Sequence, residues 1–448
     1  MQPPLNLSVI ALSVCVVASL SAEFILLKDA LIDDAYIGLD YARNLGLHFH
    51  WGLVESAPSN TATSVLNVVV TGAVTAIVRD AVVACGIVYV ACGLLSVLAL
   101  RSVFRTLDMP GYGGVIAAIL VMFNPVMMST IGMESAMLVA LLAVGLVYAV
   151  INRPVSFAVV SALLVLTRPD TILLAVPMAF FMKASRADWR KALVAFVMLV
   201  AGWYLMSWAY MGSVVPDTFL IKAAQRSWDG VTFASGVSFF LSRNTAMTML
   251  ALLVPAAGLL AFAVWAVSAI TNRHFERKLL IFGYAVIGGL LIYVAYTVIS
   301  VPPYHWYYVP TMAVLSVFMA AFICAARNRI LHTIGVAAMA VIIVGILVTV
   351  AVRPDKSVPP FTTNWTSAQQ YQALGRELRS LVGQQSVMLE GEAGTITYYC
   401  ECETVNVFSD RGLMTRRITE RSAMIPSPVR WLVDLNWHFR DWGEDPLA

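Results

Sequence analysis

Long apolar runs alternate with short polar breaks through most of the chain. The apolar runs lie near residues 8–27, 61–78, 81–100, 112–131, 135–151, 155–167, 171–182, 191–211, 245–270, 279–300, 307–325 and 330–351. Several reach the roughly 20 residues that a helix needs to cross a bilayer, where the backbone must satisfy its own hydrogen bonds. The run at 8–27 has no Lys or Arg before it, so it lacks the basic start of a signal peptide and reads as a retained helix. From residue 353 to 448 the pattern turns polar. Within that tail, residues 386–390 alternate like a strand and 391–394 form a turn. A short helix is expected at 395–399 and a second strand at 404–408. The pattern predicts an all-α polytopic membrane domain over residues 1–352 and a small α/β tail over 353–448.

Composition narrows the class. Of 448 residues, 60% are hydrophobic and 12% charged, against about 25% charged in soluble domains. The net charge of +3 is too small to suggest a nucleic-acid partner. Cys15, Cys85, Cys92 and Cys324 fall in apolar runs and read as core residues. Cys400 and Cys402 lie in the tail without the partners of a zinc site. Basic clusters at Arg101/Arg105, Lys183 to Lys191, Arg273 to Lys278 and Arg327/Arg329 are placed in the cytoplasm. The loops around 212–230 and 302–310 then fall outside, with the tail. If 61–78 crosses fully, these clusters share a side only when 155–182 is two spans and another segment is re-entrant. The expectation is about eleven spans.

Charged groups that interrupt such a chain mark polar cavities. Asp33 and Asp34 sit just past the outer end of the first helix. Such a pair can hold a divalent cation or supply a general base; its plainer role is to cap the next helix. Over residues 35–47, Tyr36, Leu39, Ala42 and Leu45 share a face, while Asp40, Arg43 and Asn44 lie elsewhere. That is a helix for the membrane interface. His48, His50, Trp51, Glu55 and Ser59-Asn60-Thr61 complete a first external loop over about residues 29–60. The two histidines lack a third metal ligand.

Four further sites are candidates. Arg168-Pro169-Asp170 breaks an apolar stretch, either to line a cavity and meet a phosphate or as an ion pair at a hairpin tip. Glu134 faces the cavity or caps the helix that begins at Ser135. Asp217, Lys222 and Arg226 occupy an external loop, either binding phosphate, sugar or metal or simply solvated. Tyr304, His305 and Trp306 belong to an aromatic cluster in which His305 contacts phosphate or sugar and Trp306 stacks on a sugar face, or which simply belts the interface.

Asp33-Asp34-Ala35-Tyr36-Ile37 followed by Tyr41-Ala42-Arg43-Asn44-Leu45 resembles the first external loop of bacterial GT-C membrane glycosyltransferases. The resemblance is nearest to the actinobacterial terminal arabinofuranosyltransferase branch. Gly132-Met133-Glu134-Ser135, Leu166-Thr167-Arg168-Pro169-Asp170, and Gly212 to Phe219 with Lys222 are similar in the same order. So are Gly391-Glu392-Ala393-Gly394 with Tyr398-Tyr399, and Arg411-Gly412-Leu413. The chain departs from the pattern in having Ala57-Pro58-Ser59-Asn60-Thr61 before the second run, Asp217 where Asn is common, and a short tail.

The resemblance implies a GT-C fold in a bacterial plasma membrane, with active site and tail extracytoplasmic. It implies a polyprenyl-phosphate-sugar donor, such as decaprenyl-phosphate arabinofuranose, and an envelope glycan or glycolipid acceptor. Asp33 and Asp34 would be base and ligand of a divalent cation (Mg, Mn or Ca), in either order, and no nucleotide cofactor is implied. Arg168, Lys222 and His305 would hold the donor phosphate. Tyr36, Arg43, Glu55, Asn60, Glu134, Asp170, Asp217, Tyr304 and Trp306 are the remaining substrate-binding candidates. The rival class is a non-enzymatic transporter or lipid-linked-sugar flippase, which also uses intramembrane charges and broken helices.

Overall fold

The computed structural model describes residues 7–225, 227–272, 276–326, 329–353, 355–383 and 385–442. Arg226, Arg273 and Arg327 lie outside the described residues. The chain begins with α1 (Leu7–Leu27), α2 (Asp33–His48), α3 (Val65–Val78), α4 (Ala81–Thr106), α5 (Gly111–Met122) and α6 (Pro125–Met128). It continues through α7 (Ser135–Val150), α8 (Pro154–Thr167), α9 (Ile172–Ala179), α10 (Arg186–Met211), α11 (Thr218–Gln225) and α12 (Gly236–Arg243). The membrane part closes with α13 (Thr245–Asn272), α14 (Leu280–Ile299), α15 (Val309–Ala325) and α16 (Arg329–Ala351). Among the described residues, six helices are long and apolar enough to cross a membrane, and shorter apolar helices pack between them.

The first external loop is fixed by how α1 meets α4. A Cβ on Gly93 would strike Leu20, one on Gly86 would strike Phe24, and the Tyr89 hydroxyl donates to Glu23 at 2.8 Å. Rising numbers on α1 thus meet falling numbers on α4, so the helices are antiparallel. The end of α1 and the start of α4 therefore lie at one end of the bundle, and the chain between them begins and returns there. The apolar run 61–78 is not among the six helices long enough to cross a membrane. It forms α3, which lies along α2, with the backbones touching where Gly46 meets Gly72. Its small residues and apolar face serve that contact.

The stretch 155–182 is two segments. Asn152 donates to the Lys183 carbonyl at 2.6 Å and accepts from the Lys183 amide at 2.9 Å. Both feet of this hairpin therefore stand at one end, with Arg168 at its tip. Lys278 Nζ donates to the Asp108 carbonyl at 2.9 Å, which draws another basic loop to that same end.

The polar tail packs at the opposite end, against α2. It contains α17 (Ala368–Val382), β1 (Val387–Met388), α18 (Gly394–Cys400), β2 (Thr404–Val405), α19 (Arg411–Ala423) and α20 (Ser427–Asn436). β1 and β2 pair in parallel, Val387 beside Thr404 and Met388 beside Val405. The expected strands are present but two residues long, because the alternation that signals them is brief. Cys400 and Cys402 are joined as a disulfide.

Candidate active site

The two adjacent acids of α2 point different ways. A step of one residue turns a helix by about 100°, so only one of them can face a given wall. Asp33 is buried and faces the tail. Its Oδ2 accepts the amides of Ala393 and Gly394 at 3.1 and 2.9 Å, and its Oδ1 accepts the Thr395 amide at 2.6 Å. Its own amide donates to Asn364 Oδ1 at 2.9 Å. A bare residue is needed at Gly394, where a Cβ would lie 2.9 Å from the Ile37 amide nitrogen. Burial pushes the Asp33 carboxyl up, and the amide donors oppose this. Beside it, burial and then the charges of Asp33 and Asp34 push Glu392 up to about 9.

Asp34 instead stands on the wall of a cavity of about 750 Å3. Its Oδ1 lies 3.1 Å from Lys222 Nζ, brought from α11. Burial is the largest influence on Lys222 and opposes its charge, but Asp34 together with Tyr304 and Tyr307 holds the ammonium above its ordinary value. The same Nζ sits 3.9 Å over the Tyr304 ring, and the Tyr304 hydroxyl donates to Gln225 at 2.7 Å.

A second charged group faces the same space from the hairpin tip. Pro169 cannot continue α8, and the break frees Arg168 to turn inward. Its Nη2 and Nε donate to Asp170 at 2.8 and 3.1 Å. It also donates to the Tyr296 hydroxyl and the Trp306 carbonyl, both at 3.1 Å, and approaches Glu134 at 3.8 Å. Tyr296 in turn donates to Asp170 at 3.0 Å. The rest of the wall is largely apolar, with Phe219, Ile299, Val301, Leu432 and Val433 among its residues.

Of the residues singled out in the sequence, the structure thus gathers Asp34, Glu134, Arg168, Asp170, Lys222 and Trp306 around one cavity. The others are placed elsewhere, each for a visible reason. Tyr36 packs on Tyr398 and Tyr399 with its hydroxyl 3.3 Å from that of Tyr399. Arg43 donates to the Tyr398 carbonyl at 2.6 Å and pairs with Asp40 at 2.9 Å. Both therefore dock the tail rather than a substrate. Glu55 is exposed and pairs with His48 at 3.2 Å. Asn60 is buried, donating to Ser207 at 3.1 Å and to Ser213 Oγ at 2.8 Å, and its carbonyl accepts the Asp217 amide at 2.7 Å. Asp217 pairs with Arg411 at 3.0 Å and accepts from Trp437 at 3.1 Å. Tyr304 supports Lys222 from beneath. His305 is wholly buried behind Trp306 near Phe240 and Phe361. Burial pushes it down to about 4, so at neutral pH it has no positive charge to offer a phosphate.

A metal ion does not fit these residues. Both Asp33 oxygens are occupied by amides, and Asp34 and Asp170 each face a protein cation. Among the described residues, no three His, Cys, Asp or Glu side chains gather to hold one.

The sequence reading did not single out Tyr296, Tyr307 or the wall contributed by α20, and it had Arg411 only within a tail motif, without its partner. Tyr307 was absorbed into the expected aromatic belt, and Tyr296 into the apolar run 279–300. Arg411 stands 194 residues from its partner Asp217, and no local spacing signals such a pair.

Neither a family model nor a curated protein matches the chain. Solved structures do match. The oligosaccharyltransferase of Archaeoglobus fulgidus, in its apo form, superposes with a TM-score of 0.52 at 11% identity, covering 88% of this chain and 64% of that one. ArnT from Cupriavidus metallidurans, bound to undecaprenyl phosphate, gives 0.52 at 14% identity over 98% of this chain and 85% of that one. The mycobacterial arabinofuranosyltransferase AftD gives 0.51 at 13% identity over 85% of this chain and 29% of that one. The chain therefore spans under two thirds of the oligosaccharyltransferase and under a third of AftD. What these proteins share with the chain is the fold, and this multi-pass membrane protein has the GT-C fold.

Proposed function

We propose that the chain is a glycosyltransferase that moves a sugar from a polyprenyl-phosphate donor to a cell-envelope glycan or glycolipid. The observation that carries this reading is the pairing of one carboxylate, Asp34, with one cation, Lys222, on the wall of a cavity that also holds Arg168. The apolar remainder of the wall suits a prenyl chain. A bound lipid phosphate in a structural neighbour supports that choice of donor. Arabinofuranose is the sugar favoured by the sequence resemblance, and AftD is a structural neighbour with that activity. The Lys and Arg distribution supports a reaction on the extracytoplasmic face, and the sequence resemblance favours a bacterial plasma membrane.

The chemistry follows from these groups. Without donor, Lys222 occupies Asp34. A donor phosphate draws Lys222 toward itself and joins Arg168, leaving Asp34 free to accept a proton. The acceptor hydroxyl gives its proton to Asp34 as its oxygen attacks the anomeric carbon. The bond from that carbon to the phosphate oxygen breaks, and its electron pair leaves with the lipid phosphate. Lys222 and Arg168 hold the charge that develops there.

The test uses the full chain in nanodiscs with synthetic polyprenyl-phosphate sugars. The expected result is sugar transfer by the wild type and a loss of about 10²–10⁴-fold in Asp34→Asn. A correctly folded Asp34→Asn variant with full activity would sink the assignment of the base. Translocation of donor lipid without bond cleavage would instead establish a flippase.

A further inference from the structure

The segment between α16 and α17 runs over the outer surface beside the first turn of α2. It leaves an open groove of about 660 Å3, which shares no lining residue with the cavity that holds Asp34. Side-chain amides and hydroxyls dominate the lining, among them Asn364, Gln369, Gln370 and Thr366, and Asp355 is the one charged residue among the described lining residues. A single large aromatic stands among them. Trp365 is 81% exposed, and an indole left in water forgoes the gain of covering its apolar surface.

The ring is nevertheless positioned. Its edge rests on Gly391, where a Cβ would lie 2.9 Å from it, and Gly391 has φ +93, which favours glycine. Asn364 is oriented too. Its Oδ1 accepts the Asp33 amide at 2.9 Å, so its NH2 is left to donate elsewhere. The Trp365 backbone also lies close to the Glu392 carboxyl, which neighbours Asp33.

An aromatic face set among neutral amides and hydroxyls matches the chemistry of a neutral sugar. The C–H face of a pyranose or furanose covers the ring, and its hydroxyls exchange hydrogen bonds with the amides. A phosphorylated ligand would call for Lys or Arg, and neither is among the described lining residues. The geometry points to this groove as a binding site for a neutral oligosaccharide, the part of the acceptor glycan remote from the reacting hydroxyl. This inference rests on the transferase reading above. Its place in the fold fits that role. Asn364 binds Asp33, and the next residue, Asp34, stands on the cavity wall, so groove and cavity back onto each other across the first turn of α2.

The experiment titrates the full chain in nanodiscs with neutral oligosaccharides of arabinofuranosyl, galactofuranosyl, mannosyl or glucosyl units. Binding is read by saturation-transfer NMR. At least one series is expected to bind wild type and Asp34→Asn alike. Trp365→Ala should weaken that binding about tenfold, with most of it restored in Trp365→Tyr. In the transfer assay, Trp365→Ala should reduce the preference in kcat/KM for a tetrasaccharide acceptor over a monosaccharide acceptor by a similar factor. Gln369→Ala, exposed and outside the helix packing, gives a second variant whose thermal unfolding matches wild type. No binding by the wild type, or binding indifferent to both substitutions, overturns the assignment whether or not donor turns over. Binding that depends on Trp365, with no donor turnover in the wild type, keeps the sugar site and overturns its acceptor role.

Discussion

Lys222 Nζ lies 3.1 Å from Asp34 Oδ1, across 188 residues of sequence. The cation closest to the proposed base is thus also the one best placed to receive the donor phosphate. Lys222→Met should lower kcat by about 10²–10³, the usual loss when one group stabilising a developing charge is removed. Lys222→Arg should recover part of it. Steady-state transfer assays with saturating donor read this directly, and an active Lys222→Met would remove Lys222 from the phosphate site.

Asp33 and Asp34 should fail differently. Asp33→Ala leaves three buried amides without an acceptor, at about 1–3 kcal/mol for each unsatisfied group. The expected signature is a lower unfolding temperature and faster proteolysis around β1 and β2. Asp33→Asn, which keeps one acceptor oxygen, should retain more transfer than Asp34→Asn. If Asp33→Asn abolishes chemistry at unchanged stability, the base is Asp33.

Arg411 and Asp217 form a pair with side chains 3% and 0% exposed. Arg411 also donates to Ser213 at 2.9 Å and to the Met211 carbonyl, so it ties α19 to the end of α10. Arg411→Ala or Asp217→Asn should each cost about 3–5 kcal/mol, because either leaves a buried charge alone. Thermal unfolding in detergent measures this. The double replacement should cost less than the sum of the singles.

Stability of the tail should fall as pH rises. Glu392 is pushed up to about 9 from an ordinary 4.5, first by burial and then by Asp33 and Asp34 on α2; Tyr371 of α17 also faces it. The folded state therefore holds a proton that the unfolded chain has released. This contribution is fully present below about pH 4.5 and is lost progressively as pH climbs through about 9. Glu392→Gln, neutral at every pH, should flatten the slope of unfolding temperature against pH between those limits. A slope unchanged by Glu392→Gln would show that another group titrates.

Much of this was legible in the sequence because local rules governed it. The amphipathic spacing of Tyr36, Leu39 and Ala42 gave α2, and Pro169 gave the break that turns Arg168 inward. Turn and alternation signals around Gly391 gave β1, α18 and β2. The direction of neighbouring side chains was not legible. Asp33 and Asp34 look alike in a string of letters, and only the docking of α18 decides which faces the cavity. His305 reads as a ligand when it stands among aromatics on an external loop, yet the same aromatics wall it off. Asp217 reads as a site residue until its partner Arg411 is known. Partners so distant in sequence leave no periodicity to detect.

The three amides that grip Asp33 have a consequence for any attempt to divide the protein. The residue beside the proposed base is anchored by backbone that arrives 360 residues later. A chain cut after α16 would lose that anchor even if no atom of the tail ever met a substrate, and its inactivity would say nothing about recognition. For the same reason the tail is a poor module for exchange. A foreign domain grafted in its place would have to reproduce a bent strand-to-helix corner with a bare residue at its apex. Membrane part and tail have therefore to be inherited, engineered and purified as one piece.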